Sequence, residues 1–526
     1  MPAKLSSWVH PSGWVLEPEP STFAPSGRWS NKDMDPVPPE KDYPGVTLAC
    51  LIGPKLLMNF VVVHFRRQAL PAIAVGTSII SVVMVLNGTV GARLHVSFPV
   101  LNRSSFGFWF SYFSVISRMV LSMFWLSVQA YTGSQCVYQM LKAIWPSIAR
   151  MPNHLPPSTN ITTSGLMCFF LYWMILMPFM FVSPQRIRWL FMLKAVIVPP
   201  AWIAMLIWAF VKVPSNTALL DQHSALSGSA LSYAWLRAMN SALGIYATVA
   251  VNIPDFTRYA KHERAQYIQL AIIPLAFTFG GFIGIAVTSA GATLYGKVLW
   301  NPLTLIDHWD NRPAAFFAAF SFALATLGTN VSANTISAAN DMTVLFPRYI
   351  NIKRGQIITA VIAPWAFVPW DIVSTAQGFL SFMNGYTVFL GPFAAIMVAD
   401  YWIVHRCKVD VPSMYRPYGR YRYTGGFNWR AVVTVLVTVP PNLPGLIASV
   451  NPTIQIGGAF KIFDFAWLFG FFVSLVVYSC LSLMFPAKET FVDELITNNE
   501  ESPDYIDTPS LSESKESVPR ETKNTV

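Results

Sequence analysis

Twelve apolar stretches follow one another along this chain, separated by short breaks of charge or proline, and each is close to the length an α-helix needs to cross a hydrocarbon core of about 30 Å. They cover 46–64, 69–90, 111–141, 164–183, 189–212, 232–258, 267–295, 314–345, 356–373, 376–404, 431–449 and 463–485. Backbone in lipid has no water to bond, so runs of this length predict an all-α membrane protein with about twelve transmembrane helices. The acidic residues divide the same way. Of 26 in the chain, six precede Val46 and ten follow Phe485, leaving ten for residues 46–485. The expected organisation is a polar tail over 1–45, a transmembrane body over 46–485 and a Ser- and Thr-rich C-terminal tail over 486–526 that lacks a core pattern.

A formal charge of +10 would fit nucleic-acid binding, but the basic residues lie in short clusters between apolar runs, where the positive-inside rule accounts for them; no nucleic-acid partner is expected. Arg93, Arg103, Arg186, Arg188, Lys261, Arg264, Arg348, Lys353, Arg354 and the group from Arg406 to Arg430 fall on one side of the expected bilayer, which puts both termini in the cytoplasm. The Asn160-Ile161-Thr162 sequon falls on the opposite side. The N-terminus has no basic-then-apolar signal segment, so the first span is expected to direct insertion. Lys488, Lys515 and Lys523 are candidate acceptors for ubiquitin-dependent endocytic machinery.

Five cysteines show no pairing or metal-ligand spacing and read as small apolar residues. No His/Cys cluster, Ser/His/Asp arrangement or phosphate loop is present, so neither an enzyme nor a bound cofactor or metal is expected. Gly280, Gly281 and Gly284 lie inside an apolar span and read as helix-packing positions.

Ionisable and polar residues within the spans carry the functional signal, because placing them in lipid costs free energy. Four acids lie in or at the ends of spans: Asp255, Asp341, Asp371 and Asp400. Asp255 is expected to pair with Arg258, Asp400 to lie at an interface, and Asp341 is a candidate proton relay. Trp125 and Gln129, four residues apart, share one helix face. A flat indole beside an amide suits a planar heterocycle with adjacent N–H and C=O groups; a glutamine bonding between helices beside a packing tryptophan reads equally well. Asn330, Asn334 and Ser337 or Asp341 form a polar stripe at helical spacing, which faces a cavity or another helix. The segment from Gly228 to Pro254 has a glycine and polar cluster near its middle, as expected of a broken helix.

Five motifs extend this reading: Trp29-Ser-Asn-Lys-Asp-Met-Asp-Pro36, Val85-Leu-Asn-Gly-Thr-Val-Gly-Ala-Arg93, Phe98-Pro-Val-Leu-Asn-Arg-Ser-Ser-Phe-Gly107, Asn252-Ile-Pro-Asp-Phe-Thr-Arg-Tyr-Ala-Lys261 and Leu345-Phe-Pro-Arg-Tyr-Ile-Asn-Ile-Lys-Arg354. Together they resemble the fungal uracil/allantoin/uridine permease branch of the nucleobase:cation symporter-1 family. The resemblance implies a five-plus-five inverted-repeat fold of the leucine-transporter type plus two C-terminal helices. It also implies alternating access and import of a small planar heterocycle across the plasma membrane. On matching motifs it assigns substrate binding to Trp125, Gln129, Tyr246 and Asn334, and makes Thr329, Asn330, Asp341, Asp255 and Lys261 coupling or gating candidates.

Two departures stand out. Sodium-coupled relatives carry adjacent Ser-Thr hydroxyls where this chain has Gly328-Thr329, which favours a proton over sodium as the co-substrate. Residues 46–67 form an atypical first helix, unlike the family pattern, so a non-transporting substrate sensor or inactive homologue is the alternative.

Overall fold

The computed structural model describes residues 15–16, 23–24, 27–38, 66–182, 184–213, 227–374, 376–451, 453–454 and 456–497. The first expected span, 46–64, lies outside the described residues, as do 498–526 and most of 1–45. Twelve helices organise the remainder: α1 (Arg66–Leu94), α2 (Phe98–Phe106), α3 (Ser111–Ile144), α4 (Thr163–Leu176), α5 (Pro184–Lys212), α6 (Gly228–Asn252), α7 (Gln269–Tyr295), α8 (Arg312–Leu345), α9 (Ile352–Ala366), α10 (Ala376–Val398), α11 (Trp429–Val450) and α12 (Ala466–Met484). From the second expected span onward, each apolar stretch lies on one of them. Among the described residues there is no strand, only two isolated bridges.

Some helix starts are closed by short polar side chains that accept from the free backbone N–H groups of the first turn. Thr162 Oγ1 accepts from Gly165 N (3.1 Å) at α4, Asn311 Oδ1 from Ala314 N (3.0 Å) at α8, and Asn351 Oδ1 from Arg354 N (2.9 Å) at α9. Two packing groups result. α1 lies against α6 and α7, whereas α3 lies against α4, α8 and α9; α5 touches both α7 and α8, and α10 joins α6 to α12. Small residues permit the closest approaches: a Cβ on Gly281 would come within 2.8 Å of Ile73, and one on Gly133 would overlap the buried Tyr172 ring.

One expectation about the backbone is corrected. α6 is one continuous helix, because Gly244 serves packing against α10: Tyr386 donates its hydroxyl proton to the Gly244 carbonyl at 2.5 Å. The irregular backbone lies instead in α8, where Asn330–Ile336 is a π-helical turn and Thr335 Oγ1 donates to Asn330 O (2.7 Å). Asp400, near the end of a span, is fully buried by protein, at the start of a second π turn over Ala399–Val404. Its carboxylate accepts from Ser104, Ser105 and Tyr478 (3.3, 3.1 and 2.7 Å) and faces His405 Nδ1 at 3.3 Å. Burial disfavours a charge on His405, yet the Asp400 carboxylate outweighs it and holds the imidazole above its usual pKa.

One face of the bundle carries the N-terminal segment. Residues 27–38 cross several loops there: Trp29 Nε1 donates to Tyr112 Oη (2.8 Å), Trp29 N to Tyr415 O (2.9 Å), Asn31 Nδ2 to Ile350 O (2.9 Å) and Val37 N to His95 O (3.1 Å). Asp33 Oδ2 accepts from Ile352 N at 2.9 Å. The segment therefore ties both packing groups together at this face.

Gly133→Val is expected to lower stability by about 1–3 kcal/mol through overpacking. Thermal denaturation of the detergent-purified protein should show a lower transition, with Tyr172→Ala in the same chain recovering part of it; an unchanged transition would mean α3 and α4 are not packed this closely.

Candidate functional site

A cavity lies between the two packing groups. The helical spacing of Ser122, Trp125 and Gln129 brings all three to one face of α3, opposite Tyr246, Thr248 and Asn252 of α6, Phe277 of α7, and Thr329 and Asn334 of α8. It offers about 60 Å³ to the centre of a water-sized sphere, where a single water needs about 10–15 Å³. Two aromatic surfaces bound it. Tyr246 meets Phe277 edge to face at 4.6 Å between ring centres, and Trp125 lies 6.5 and 6.2 Å from Phe382 and Tyr386 of α10.

The π turn determines how α8 contributes. Widening the helix there leaves Asn334 on the cavity wall, with its Nδ2 donating to Asn330 Oδ1 at 2.8 Å. Asn330 itself is fully buried behind the wall. Thr329 lines the cavity while its hydroxyl donates to Ala325 O at 2.9 Å. Among the described residues, no charged side chain lines the cavity.

Charges lie one hydrogen bond behind the wall. Arg118 of α3 is fully buried and ion-paired with Asp341 of α8, and its guanidinium is 3.8 Å from Asp255, just beyond α6. Asp255 Oδ1 also accepts from Phe98 N (3.0 Å). The expected Asp255–Arg258 pair is thereby corrected: Arg258 Nη2 donates to Tyr259 Oη instead (2.7 Å). Asn252 connects the cluster to the cavity. In the amide orientation that satisfies both its ends, Oδ1 accepts from Arg118 Nη1 and Ser337 Oγ (2.8 Å each) and Nδ2 donates to Thr248 O (2.7 Å). On another side, the buried Lys194 of α5 brings its ammonium to 3.4 Å from Thr329 Oγ1.

Of the residues singled out from sequence, Trp125, Gln129, Tyr246, Thr329 and Asn334 thus share one cavity, and Asn330 lies directly behind it. Asp341 and Asp255 meet in the Arg118 cluster rather than on the cavity wall. Lys261 is exposed in a loop, away from both. Sequence reading missed Arg118, Lys194, Asn252 and Phe277 as site residues. A signal existed for the first two, since each is a lone cation inside an apolar span.

A larger cavity of about 440 Å³ opens at the bundle end away from the N-terminal segment, between Tyr131, Gln135 and Gln139 of α3 and the Asn153–Gly165 and Asn301–Asp307 stretches. Asn160 of the sequon is exposed on its rim and donates to Asp371 Oδ1 at 3.2 Å.

Residues 64–470 match the family model described as permease for cytosine/purines, uracil, thiamine, allantoin. The allantoin permease of Saccharomyces cerevisiae is 38% identical over 441 residues, covering 80% of this chain and 69% of that protein. The uracil permease of the same yeast is 36% identical over 443 residues, again 80% of this chain and 69% of that one. Among solved structures, Mhp1, a nucleobase-cation-symport-1 family transporter in a closed conformation with bromovinylhydantoin bound, superposes with a TM-score of 0.66 at 21% identity, over 87% of this chain and 97% of that one. Its fold, an inverted-repeat transporter, is the fold found here.

Removing the buried guanidinium would leave two carboxylates facing each other. Arg118→Ala is expected to cost about 3–5 kcal/mol of stability. Adding Asp341→Asn to that variant should restore part of the loss in a thermal-shift assay; strict additivity of the two changes would show that the groups do not interact.

Proposed function

Because this chain belongs to the family of permeases for cytosine/purines, uracil, thiamine and allantoin, we propose that it imports a neutral planar lactam or ureide, of the uracil or allantoin type, by proton symport with alternating access. The observation that carries this reading is the cavity itself, with aromatic surfaces on two sides, amides at its edges and no charged side chain in its wall. Trp125 stacks on the ring, Tyr246 closes the second face with Phe277 behind it, and Gln129 and Asn334 bond the alternating N–H and C=O groups of the ligand edge. A neutral ligand suits such a wall, because a charged one would lie in an apolar setting without a counter-charge.

The Arg118 cluster supplies the coupling site. A proton on Asp341 or Asp255 removes one of the two negative charges that face the Arg118 guanidinium. Protonation weakens the Arg118 pairing and frees the guanidinium to bond Asn252 more strongly, and Asn252 touches the ligand space. Proton and ligand then favour the same closed arrangement, and linkage makes the effect reciprocal. Thr329, Asn330 and the exposed Lys261 remain gating candidates on this reading. The orientation is the one expected from the basic loops, with both termini in the cytoplasm of a cell whose plasma membrane holds the carrier. The ubiquitin-dependent machinery would meet the tails there.

Uptake of radiolabelled uracil and allantoin by cells lacking their own nucleobase and ureide permeases tests this. Saturable uptake should rise as external pH falls. Gln129→Ala and Asn334→Ala should each reduce it at least about tenfold, the equivalent of losing one or two hydrogen bonds, with surface expression intact. Asp341→Asn should remove the pH dependence. Ligand binding without flux would favour the substrate-sensor alternative, and unchanged uptake in both amide variants would sink this site.

A further inference from the structure

The cavity of about 440 Å³ at the bundle end away from the N-terminal segment falls within the range of about 300–1,000 Å³ in which small molecules bind, and no part of the proposed transport cycle uses it. Its floor is polar although it is buried. Ser134, Gln139 and Asn301 are covered by protein, at positions that packing alone would fill with apolar side chains. The amides are held in place: Asn301 Nδ2 donates to Gln135 Oε1 (3.1 Å), and Gln139 Nε2 donates to Asp307 Oδ1 (2.9 Å) and Leu303 O (3.3 Å). Tyr131 packs edge to face on Trp370, with 6.4 Å between ring centres, so the groups facing this space are ordered before any ligand arrives. The α3 wall also repeats a spacing. Trp125 and Gln129 face the inner cavity four residues apart, and Tyr131 and Gln135 face the outer one at the same interval. Six residues of helix shift the second pair by about 9 Å and turn it by about 120°, which keeps the two cavities separate.

We propose that the outer cavity is a second ligand site, for a neutral heterocycle carrying a polyol arm, that is, a nucleoside, and that its occupancy slows transport through the inner cavity. Tyr131 and Tyr138 supply aromatic surface for the base and Gln135 an amide for its edge, while Asn153, Asn160 and Thr304 at the rim supply donors and acceptors for adjacent hydroxyls. Size favours the larger ligand here: the inner cavity offers about 60 Å³ by the same measure. Asp307 in the wall is already ion-paired with Lys142 (2.6 Å), which favours a neutral ligand over a cation. In the proposed orientation this end faces the medium, from which the ligand arrives. The Asn301–Asp307 stretch belongs to the connection from α7, in one packing group, to α8, in the other. The cavity spans that connection and α3, so its shape changes when the groups move, and a ligand that fits it as it stands favours this arrangement and slows the cycle. The choice of ring chemistry rests on the transport reading above; the site itself does not.

The test measures equilibrium binding of radiolabelled uridine to the purified full chain, for wild type, Tyr138→Ala, Thr304→Trp and Asn334→Ala. Tyr138 and Thr304 line the outer cavity and not the inner one, and Thr304 is exposed, so a tryptophan there fills the mouth without entering the core. Wild type should bind uridine saturably, with affinity at least about tenfold weaker in Tyr138→Ala and Thr304→Trp and within about twofold in Asn334→Ala. In cells, uridine should lower the maximal rate of uracil or allantoin uptake by wild type at unchanged KM. It should no longer do so for Thr304→Trp, whose uptake without uridine should match wild type. Absence of uridine binding, binding unchanged in both outer variants, or binding lost in Asn334→Ala, which would put uridine in the inner cavity, would overturn the proposal. So would uptake that uridine leaves unchanged or inhibits in a purely competitive way. If wild type takes up neither uracil nor allantoin, the binding comparison decides alone: loss confined to the outer variants supports the second site even though the transport reading has failed, and any other pattern overturns it.

Discussion

A buried guanidinium held between two carboxylates is the interaction on which the remaining geometry depends. Arg118 fixes the rotation of α3 relative to α8 through Asp341, and relative to the end of α6 through Asp255 and Asn252. Trp125 and Gln129 are two and three turns further along α3, and Asn334 is two turns back along α8 from Asp341, so that one ionic contact sets where the stacking and hydrogen-bonding groups stand. Breaking it would do more than expose a charge; it would let the two walls of the cavity rotate independently.

The π turn in α8 complements this arrangement. A regular α-helix would alternate Asn330, Asn334, Ser337 and Asp341 along one stripe, with the same neighbours for all. The widened turn separates their tasks: Asn334 reaches the cavity, Asn330 supports it from behind, and Asp341 turns to Arg118. A second π turn after α10 places Asp400 among the hydroxyls of α2 and α12, so both irregular turns carry a buried polar group to partners on other helices.

Much of this was legible in the sequence because lipid is an unforgiving solvent. Span positions followed from length and composition, and Trp125 with Gln129 followed from a spacing of four. Membership of the permease family agrees with the motifs from Trp29 to Arg354. What was not legible depended on partners distant in the chain. Asp255 looked paired to Arg258, its neighbour in sequence, whereas Arg118 reaches it from another helix. Asp400 stands at the end of a span with no partner evident nearby in sequence, and only the fold brings Ser104, Ser105 and Tyr478 to it. The glycine of α6 suggested a break, yet a glycine permits either a break or a close contact, and here Tyr386 and Thr387 take the space.

The N-terminal segment has a consequence for how the molecule is made. Trp29, Asn31 and Met34 leave the ribosome well before their partners, which include Ile350 and Tyr415; the Asn31–Ile350 and Met34–Tyr415 pairs are 319 and 381 residues apart in sequence. Tyr415 donates to the Met34 carbonyl at 2.8 Å, a bond no nascent chain can form until α10 has been inserted. The segment must therefore wait in water while the helices assemble, and its docking is among the last steps of folding. A chain that stops short or mispacks its later helices leaves the Trp29 backbone N–H and the Met34 carbonyl without the Tyr415 groups that satisfy them in the finished protein.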